Sequence, residues 1–478
     1  MKSADILELS ATDLSALIHA RKLAPSEVMA AHLAQVAAAN PEVNAIVSAR
    51  DPDVLMAEAR AMDDAEPKGW LHGIPLAVKD LVATAGLRTT WGAPLYADHV
   101  PAKDDILAAR MRAAGAIFPA KTNVPEWGQG SHSFNPVFGV TRNPHDLTRS
   151  AGGSSGGAAA ALASRMAWVA DGSDMMGSLR NPAGFCNVYG FRPTWGLVPS
   201  DAEGDTYLST LATEGPMART VEDLARLLLV QAGENPEVPF PRVVPDVLTG
   251  LDRGVQGLRI GWLSDWGGAY PMEAGLLSAC EAGLKVLEDL GAEVEPLPPP
   301  FPAENLWSSW VTLRAMLNAG GKRALAEDPA KRALTKPETL WEIEQGLGLS
   351  AQAIYEASVI RSRWHAHAAR LFDRFDALVL PTAQVWPFPA DWRWPEVIAG
   401  RQMDTYHRWM EVVVPASLIG LPALSVPVGF SPGGLPSGMQ IIGRSGDDAG
   451  VLAIGQAYHR ATDWPARRPP LVAGAVSR

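Results

Sequence analysis

The sequence has few cysteines and no motif that would hold a metal. Cys186 and Cys280 are the only thiols among 478 residues, and neither belongs to a Cys-x-x-Cys pair. Two isolated thiols exclude the disulfide framework of a small secreted protein, and their spacing fits no Cys/His zinc site. We therefore expect reduced cysteines, a cytoplasmic location and no bound metal.

Basic residues are also scarce, and a signal peptide is missing. The chain has 41 Lys and Arg against 52 Asp and Glu, a net charge of −11, so no basic field attracts nucleic acid or anionic lipid. At the N terminus, Asp5, Glu8 and Asp13 lie where a signal peptide needs an apolar core. We predict that the protein neither binds nucleic acid nor is exported.

One long segment, residues 412–443, lacks charged residues altogether. Its length would suffice to cross a bilayer, but it contains five prolines, which interrupt a membrane-spanning helix. The pattern instead predicts short buried strands separated by turns. We therefore expect no association with a membrane.

Apolar runs typical of strands alternate along the chain with amphipathic segments typical of helices. Strands are predicted at 74–78, 116–118, 258–263, 377–380, 423–426 and 439–442, and helices at 104–114, 220–229, 273–290 and 449–460. Such alternation predicts an α/β fold, with a sheet covered by helices on both faces. Neither a linker nor a repeat divides the chain, so we expect one domain over residues 1–478.

The segment from about 301 to 395 is more helical than its surroundings and rich in tryptophan. We expect this variable segment to form part of the substrate pocket, because aromatic side chains supply rigid apolar walls. Trp307 and Trp310, three residues apart on a predicted helix, are candidates to face one cavity. A tryptophan wall would favour an apolar or aromatic acyl group, and the alternative is that these residues belong to the core.

A glycine-rich turn at 150–162 leads into an alanine-rich helix, with the sequence SAGGSSGGAAAAL. Glycines let backbone N–H groups approach a ligand, and the start of a helix attracts an anion. No Gly-Lys-[Ser/Thr] follows, which disfavours binding of a nucleoside triphosphate. The turn could equally be structural, with serines that cap the helix.

Residues 152–156 also fit Gly-x-Ser-x-Gly, the nucleophile elbow of α/β-hydrolases. In that interpretation Ser154 attacks the substrate and a later histidine, such as His459, is its base. The elbow requires a strand directly before it, whereas the Asn-Pro step and the polar residues of 142–149 predict a turn. This predicted turn disfavours the elbow.

Lys79 ends an apolar run, and Ser178 lies in a second polar segment at 171–182. A lysine in this position is usually solvated and therefore charged. If its ammonium group were buried instead, the neutral amine would become favoured and could act as a base. The residues alone leave both possibilities open.

Four motifs, in this order along the chain, resemble the amidase signature family of serine hydrolases. They are GIPLAVKD at 73–80, KTNVPE at 121–126, GGSSGG at 152–157 and DMMGSLRNP at 174–182. The C-terminal segments 420–427, 434–443 and 467–470 are similar to the family as well. The resemblance covers most of the chain, and it implies a single-domain α/β/α sandwich around a central mixed, twisted sheet.

The resemblance implies an amidase in which Ser178 is the nucleophile, Ser154 relays protons and Lys79 is the neutral base. In the family, the serine that matches Ser154 follows a cis peptide bond, here Gly153–Ser154. Lys79 takes a proton from Ser154 while Ser154 takes one from Ser178, which attacks the carbonyl carbon of an amide. Water later hydrolyses the acyl-enzyme, and the cycle needs no cofactor.

The resemblance also identifies residues that would bind the substrate. The backbone N–H groups of Met175, Met176, Gly177 and Ser178 would stabilise the oxyanion, and Gly128 matches a position that lines the pocket. The family usually has Gly-Gly-Ser where this chain has Met176-Gly177-Ser178. The N–H of Met176 can serve as a donor if the backbone angle there suits a residue with a Cβ atom.

Three further residues match supporting positions of the family. Asp174 and Arg180 would hold the loop by hydrogen bonds, and Ser155 would support the catalytic residues. The resemblance gives no role to His132 or His145, which we expect to be structural.

We therefore expect hydrolysis of a carbon–nitrogen bond in a small apolar or aryl amide. The same residues would serve a carbamate or oligoamide hydrolase, which differs only in the shape of its pocket. An amidotransferase subunit would need partner chains for the transfer of ammonia. A catalytically silent binding protein is disfavoured, because all three triad residues are present, and a homodimer is left open.

Overall fold

Helices and short strands alternate along the protein in this computed structural model, which describes residues 2–201 and 204–473. The helices are α1 Ser3–Glu8, α2 Ala11–His19, α3 Pro25–Val43, α4 Pro52–Arg60, α5 Ile106–Ala113, α6 Gly156–Ala163, α7 Arg180–Cys186, α8 Val221–Gln231, α9 Leu276–Asp289, α10 Ala303–Glu327, α11 Pro329–Ala333, α12 Pro337–Leu347, α13 Ala351–Leu371, α14 Val414–Leu418, α15 Asp448–Thr462 and α16 Pro470–Ala473. Short 3-10 helices occur at Pro94–Tyr96, Glu126–Gly128, Arg408–Val413 and Trp464–Ala466.

The strands are short, and several contain only two residues. They are β1 Ile46–Val47, β2 Val78–Lys79, β3 Lys121–Thr122, β4 Phe134–Asn135, β5 Gly139–Val140, β6 Arg142–Asn143, β7 Asp146–Ser150, β8 Val169–Asp174, β9 Tyr189–Arg192, β10 Thr213–Ala218, β11 Arg259–Trp262, β12 Glu293–Pro296, β13 Ala377–Pro381, β14 Val397–Ile398, β15 Arg401–Gln402, β16 Ala423–Phe430 and β17 Pro436–Ile442.

The largest sheet contains eight strands within the described residues, in the order β12-β11-β13-β17-β16-β9-β10-β8. Strand β11 is parallel to both β12 and β13, whereas the other neighbouring pairs are antiparallel. The sheet is therefore mixed, as the resemblance implies. Strands β2 and β3 lie outside it, in a three-stranded sheet with β1.

Side chains alternate between the two faces of this sheet, so each face packs against different helices. Leu424 and Val426 of β16 and Tyr189 of β9 join a hydrophobic core with α8, α9 and α15. Gly190 faces the opposite side, where a Cβ atom would lie 2.2 Å from the backbone oxygen of Leu179, just before α7. Helices cover both faces, which confirms the predicted α/β fold.

The tryptophan-rich segment is helical as predicted and contains α10 to α13. Trp307, Trp310 and Trp364 are buried in a second hydrophobic core, together with Trp409 and Met410. Burial of such large side chains fixes α10 and α13 against the rest of the protein. This packing determines where the polar side of α10 lies.

Two predicted strands near the N terminus are wrong in extent. Residues 74–78 contribute only Val78 to strand β2, and residues 116–118 form a single isolated bridge, between Pro75 and Ile117. Proline lacks a backbone N–H, so Pro75 and Pro119 interrupt the ladder that these two segments would otherwise share. Both segments are nevertheless buried, as their apolar character predicts.

The predicted turn at 142–149 is also wrong, because this segment forms the hairpin of β6 and β7. Asn143 closes the hairpin: its Oδ1 atom accepts a hydrogen bond from the His145 N–H at 3.0 Å, and its Nδ2 atom donates to the Ser150 oxygen at 3.1 Å. The polar residues therefore stabilise a β-hairpin. A strand does precede the glycine-rich segment, but it lies outside the large sheet.

Residues 412–443 form buried strands and turns, as predicted. They comprise the end of a 3-10 helix, α14, β16 and β17. Among the residues that the structure describes, no helix combines the length and the apolar character needed to span a membrane. The stretch without charge is thus accounted for by the core of the sheet.

Candidate active site

Strand β2 and two turns of the chain meet beside strand β8. Lys79 is the second residue of β2, Ser154 lies two residues before α6, and Ser178 lies two residues before α7. Strand β2 packs against β8, and the Lys79 N–H donates hydrogen bonds to the Asp171 carboxylate of β8, at 3.0 and 3.2 Å. This contact brings the lysine to the serines of both turns.

The Lys79 side chain is fully buried and surrounded by hydroxyl groups. Its Nζ atom lies 2.9 Å from Ser154 Oγ, 2.8 Å from Ser155 Oγ and 2.9 Å from Ser173 Oγ. No carboxylate of the described residues forms an ion pair with this nitrogen. A buried amine without a carboxylate partner is poorly stabilised in its charged form.

Burial lowers the pKa of Lys79 to about 8, although the charges of Glu214, Asp171 and Asp174 act to raise it. Burial also raises the pKa of Glu214, whose Oε2 atom has no hydrogen-bond partner within the described part of the chain. An amine with a pKa near 8 is partly neutral in mildly alkaline solution. Lys79 can therefore accept a proton under such conditions.

The turn that carries Ser154 is held from two sides. The Gly153–Ser154 peptide bond is cis, as the resemblance implies. His132 contacts this turn and a distant loop: its Nδ1 atom lies 2.7 Å from Ser150 Oγ, and its Nε2 atom lies 3.1 Å from the Ala390 oxygen. The turn is thus fixed just before the serine.

Gly128 lies against the Ser154 side chain. Its φ angle is +67°, and a Cβ atom there would lie 3.7 Å from Ser154 Oγ and 2.7 Å from Leu81 Cδ1. A larger residue would therefore displace Leu81 beside the serine hydroxyl. The glycine borders the same cavity as Ser154.

Ser178 lines this cavity as well, and the residue is buried, with 7% of its surface exposed. The Ser155 N–H donates to the Ser178 backbone oxygen at 3.2 Å, which ties the two serine-bearing turns together. The Ser178 hydroxyl makes no hydrogen bond to the described residues. The residue borders the cavity without a protein partner for its hydroxyl group.

The backbone before Ser178 offers three free donors rather than four. The Gly177 N–H donates to Asp174 Oδ1 at 2.9 Å and is therefore already used. The N–H groups of Met175, Met176 and Ser178 have no acceptor within the described part of the chain. These three groups are the ones available for an oxyanion.

The departure at Met176 leaves the turn intact, because Gly177 adopts the unusual backbone angle. Gly177 has a φ of +80°, whereas Met176 is absent from the described residues with a left-handed φ. A Cβ atom at Gly177 would lie 2.0 Å from Asn181 Oδ1. The turn thus requires glycine at 177 and accepts a side chain at 176.

Asp174 and Arg180 form a buried ion pair beneath the turn. Asp174 accepts hydrogen bonds from Arg180 Nε and Nη2, both at 3.0 Å, and from the Leu179 N–H at 3.2 Å. A second arginine, Arg192, donates from Nη1 at 3.2 Å. The two guanidinium groups hold the pKa of Asp174 well below its usual range.

The cavity has a volume of about 160 Å³, and one of its walls comes from α10. Trp127 supplies an aromatic side chain, while α10 contributes Arg314, Asn318 and Lys322. Trp307 and Trp310 belong to the hydrophobic core and do not line this cavity. The tryptophan-rich segment therefore reaches the cavity with polar side chains.

Several of these residues were missed in the sequence. Asp171 and Ser173 alternate along β8, so both face Lys79, and this period of two was the signal that could have identified them. Arg314, Asn318 and Lys322 follow one another at intervals of four residues, the spacing of one helix face. No local feature of the sequence, however, indicates that this helix face lies near Ser154 and Ser178.

The α/β-hydrolase alternative has no support in this geometry. His459 lies on α15, where its Nδ1 atom is 3.0 Å from the hydroxyl of Tyr189. Tyr189 belongs to the core on the other face of the sheet. The histidine makes no contact with Ser154, which is held by Lys79 instead.

Comparison with known proteins identifies the family to which the chain is similar. The Amidase family model matches residues 27–452. The chain is 36% identical to one subunit of the glutamyl-tRNA(Gln) amidotransferase of Chloroflexus aurantiacus, over 98% of this chain and 99% of the relative. It is 32% identical to an acylamidase of Rhodococcus erythropolis, over 96% of this chain and 97% of the relative.

A solved structure resembles the whole fold. This bacterial aryl acylamidase of the amidase signature family superimposes with a TM-score of 0.89 and 30% identity, over 96% of this chain and 99% of that chain. The family model and the whole-chain relatives agree with the four ordered motifs. The chain therefore belongs to the amidase signature family.

Proposed function

We propose that this protein hydrolyses the carbon–nitrogen bond of small amides through an acyl-enzyme on Ser178. The observation that carries the proposal is the buried Lys79 nitrogen, 2.9 Å from Ser154 Oγ and without a carboxylate partner among the described residues. Only a neutral amine can act as a base, and burial favours that form.

The contacts of Lys79 fit a neutral amine that has two N–H groups and one lone pair. The two N–H groups donate to Ser155 Oγ and Ser173 Oγ, and the lone pair accepts from the Ser154 hydroxyl. Ser154 can then accept the proton of Ser178 as its own proton moves to Lys79. This orientation supports Ser154 as the relay.

In the proposed reaction, Ser178 Oγ attacks the amide carbon while its proton passes through Ser154 to Lys79. The N–H groups of Met175, Met176 and Ser178 stabilise the oxyanion, and one such donor contributes about 3 kcal/mol in comparable sites. The proton returns along the same path to the departing amine. Water then hydrolyses the acyl-enzyme, and no step requires a metal or a cofactor.

The size of the cavity supports a small acyl group. A protein cavity of about 150 Å³ is known to hold a benzene molecule, and the present one measures about 160 Å³. Similarity to an acylamidase and an aryl acylamidase supports an acyl or aryl amide. We also propose a cytoplasmic location, which the two unpaired buried cysteines support.

A carbamate or oligoamide would use the same residues and is a second candidate substrate. Membership of an amidotransferase complex is the other candidate, favoured by the relative of 36% identity. That function would couple amide hydrolysis to transfer of ammonia by partner chains. Both candidates retain the acyl-enzyme on Ser178, so the first test addresses that residue.

Labelling with a fluorophosphonate followed by peptide mapping tests the assignment of the nucleophile. We expect the adduct on Ser178 in the wild-type protein, much slower labelling in Lys79→Ala and Ser154→Ala, and none in Ser178→Ala. Thermal unfolding of each variant serves as the control for folding. An adduct on Ser154 instead of Ser178 would contradict the proposal.

A further inference from the structure

Helix α10 presents a row of polar side chains to the cavity that contains the serines. Arg314, Asn318 and Lys322 are four residues apart and line this cavity together with Ser154 and Ser178. A cationic wall in so small a cavity is unexpected for an enzyme of purely apolar amides, because an unpaired charge there is costly to desolvate.

The Arg314 charge is already compensated. Its Nε atom donates to Glu342 Oε1 at 2.7 Å, and its Nη2 atom donates to the Tyr406 hydroxyl at 2.9 Å. The third contact, from Nη1 to Met175 Sδ at 3.2 Å, joins α10 to the predicted oxyanion turn. Arg314 is therefore held in place and has a carboxylate partner.

The Lys322 charge has no such partner. Its Nζ atom donates to Asn318 Oδ1 at 2.7 Å, and no carboxylate of the described residues forms an ion pair with it. Asn318 is itself fixed, because Gln129 Nε2 donates to Asn318 Oδ1 at 2.9 Å and Asn318 Nδ2 donates to Glu342. The ammonium group is thus positioned by an amide, while its other N–H groups have no protein acceptor within the described residues.

Lys322 and the two charged groups that act on it carry a net charge of one positive. Arg314 and Lys322 contribute two positive charges, and Glu342 contributes one negative charge. Burial lowers the pKa of Lys322 to about 8, and Arg314 also acts to lower it, while Glu342 raises it. Lys322 is half-buried, and a monoanion would neutralise this group and accept the free N–H donors, which is the arrangement that partly desolvated charges favour.

We propose that Lys322, positioned by Asn318, selects amide substrates that carry a carboxylate. This inference rests on the proposed function and specifies its substrate class. One excess positive charge matches a carboxylate better than a dianionic phosphate, and the cavity volume limits the acyl group to a short chain. The substrates we infer are monoamides of short dicarboxylic acids.

The test compares substrates that have the same shape but differ in charge. Succinyl- and glutaryl-4-nitroanilide carry a carboxylate, and 4-methylpentanoyl- and 5-methylhexanoyl-4-nitroanilide replace it with an isopropyl group. In the wild-type protein we expect a kcat/KM about 10- to 100-fold higher for the better acidic anilide than for its neutral counterpart, the range of a charged hydrogen bond. Lys322→Met should abolish this preference.

Two matched variants separate charge from structure. Lys322→Arg should retain a preference for the acidic anilide, because it restores the positive charge. Lys285→Met, which removes an exposed lysine on α9, should leave the preference unchanged. Equal kcat/KM values for both anilides in the wild-type protein, or an equal loss for both in Lys322→Met, would overturn the inference.

A binding measurement distinguishes failure of the inference from failure of the proposed function. Calorimetric titration with glutarate should show binding to the wild-type protein and at least tenfold weaker binding to Lys322→Met. Hydrolysis of the neutral anilides without any preference would overturn the inference alone. Absence of both turnover and fluorophosphonate labelling would overturn the proposed function, and absence of glutarate binding would then overturn the inference independently.

Discussion

At the scale of single residues, the central feature is a lysine that is buried among hydroxyl groups. Lys79 is surrounded by Ser154, Ser155 and Ser173, none of which carries a charge. A carboxylate at any of these positions would stabilise the ammonium form and remove the base that the proposed mechanism requires. The proposed chemistry therefore depends on having hydroxyl groups, and no carboxylate, at these three positions beside the Lys79 nitrogen.

In the proposed mechanism, the pH dependence of hydrolysis follows from the protonation of Lys79. Burial lowers its pKa to about 8, so the neutral fraction rises about tenfold between pH 7 and pH 9. We expect kcat/KM for a neutral anilide to rise about tenfold over this interval and then level off. A pH series of initial rates would measure this, and a rate that declines steadily from pH 6 to 9 would contradict it.

A second buried lysine has its pKa lowered in the same way, so the pH profile needs a variant that changes the pKa of Lys79. Burial also lowers the pKa of Lys121 to about 8, but its nitrogen donates to the Val82 oxygen and Thr84 Oγ1. The charge of Glu214 raises the pKa of Lys79. Glu214→Gln should therefore move the midpoint of the rate profile to lower pH, while the exposed Asp205→Asn should leave it in place.

At the scale of elements, the turn between β8 and α7 depends on one glycine. A Cβ atom at Gly177 would lie 2.0 Å from Asn181 Oδ1. Asn181 cannot move aside freely, because its Nδ2 atom donates to the Thr382 oxygen at 2.8 Å in the buried interior. The turn and the start of α7 are therefore fitted to each other.

We expect Gly177→Ala to abolish fluorophosphonate labelling and to destabilise the protein. A left-handed φ costs a residue with a Cβ atom about 1 kcal/mol, and the collision with Asn181 adds roughly 1–3 kcal/mol. Chemical denaturation would measure the loss in the free energy of unfolding. Labelling at the wild-type rate in this variant would contradict the role given to the turn.

Gly250 offers a matched control for that measurement. Its φ is +79°, close to the +80° of Gly177, but a Cβ atom there would meet nothing within 4 Å. Gly250→Ala should therefore show the cost of the backbone angle alone, about 1 kcal/mol. Its labelling of Ser178 should be unaffected.

How far the sequence predicts an element depends on whether its signal is local. The continuous apolar runs of β13, β16 and β17 identify central strands correctly, and Thr220 marks the start of α8 by capping it. The segments 74–78 and 116–118 fail as strands, because prolines interrupt their ladder. For the site, the motifs point to Lys79 and the serines.

The rest of the site could not be predicted because it depends on long-range contacts. Lys322 lines the same cavity as Ser178 although more than a hundred residues of chain separate them. The polar row on α10 resembles any solvated helix face until the fold brings it to the serines. The prediction that Trp307 and Trp310 line the cavity failed for a related reason. Both side chains are buried in the core, which positions the helix so that its polar side lines the cavity.

At the scale of the whole molecule, distant segments of the chain come together to line the cavity. Its lining residues come from the turns before α6 and α7, from the segment around Gly128, and from α10. An amidotransferase subunit, which is what the relative of 36% identity is, would instead act within an assembly. The two functions therefore differ in what the isolated chain can do.

We expect the purified chain to hydrolyse 4-nitroanilides without any added partner. Gel filtration with activity measured in every fraction would test this, because the activity should elute together with the 50.9 kDa chain or its homodimer. Ser178→Ala, purified in the same way, controls for a contaminating hydrolase. Turnover that appears only after addition of other proteins would favour the amidotransferase function.

The contact between α10 and the turn before α7 has a consequence for how such an enzyme can diversify. The proposed reacting groups and the proposed specificity wall come from stretches of chain more than a hundred residues apart, and Arg314 contacts Met175 where the two meet. Exchange of Asn318 and Lys322, with Arg314 retained, would then change the proposed substrate choice without altering the proposed proton path. In this architecture, substitutions can change selectivity without changing the groups proposed to react.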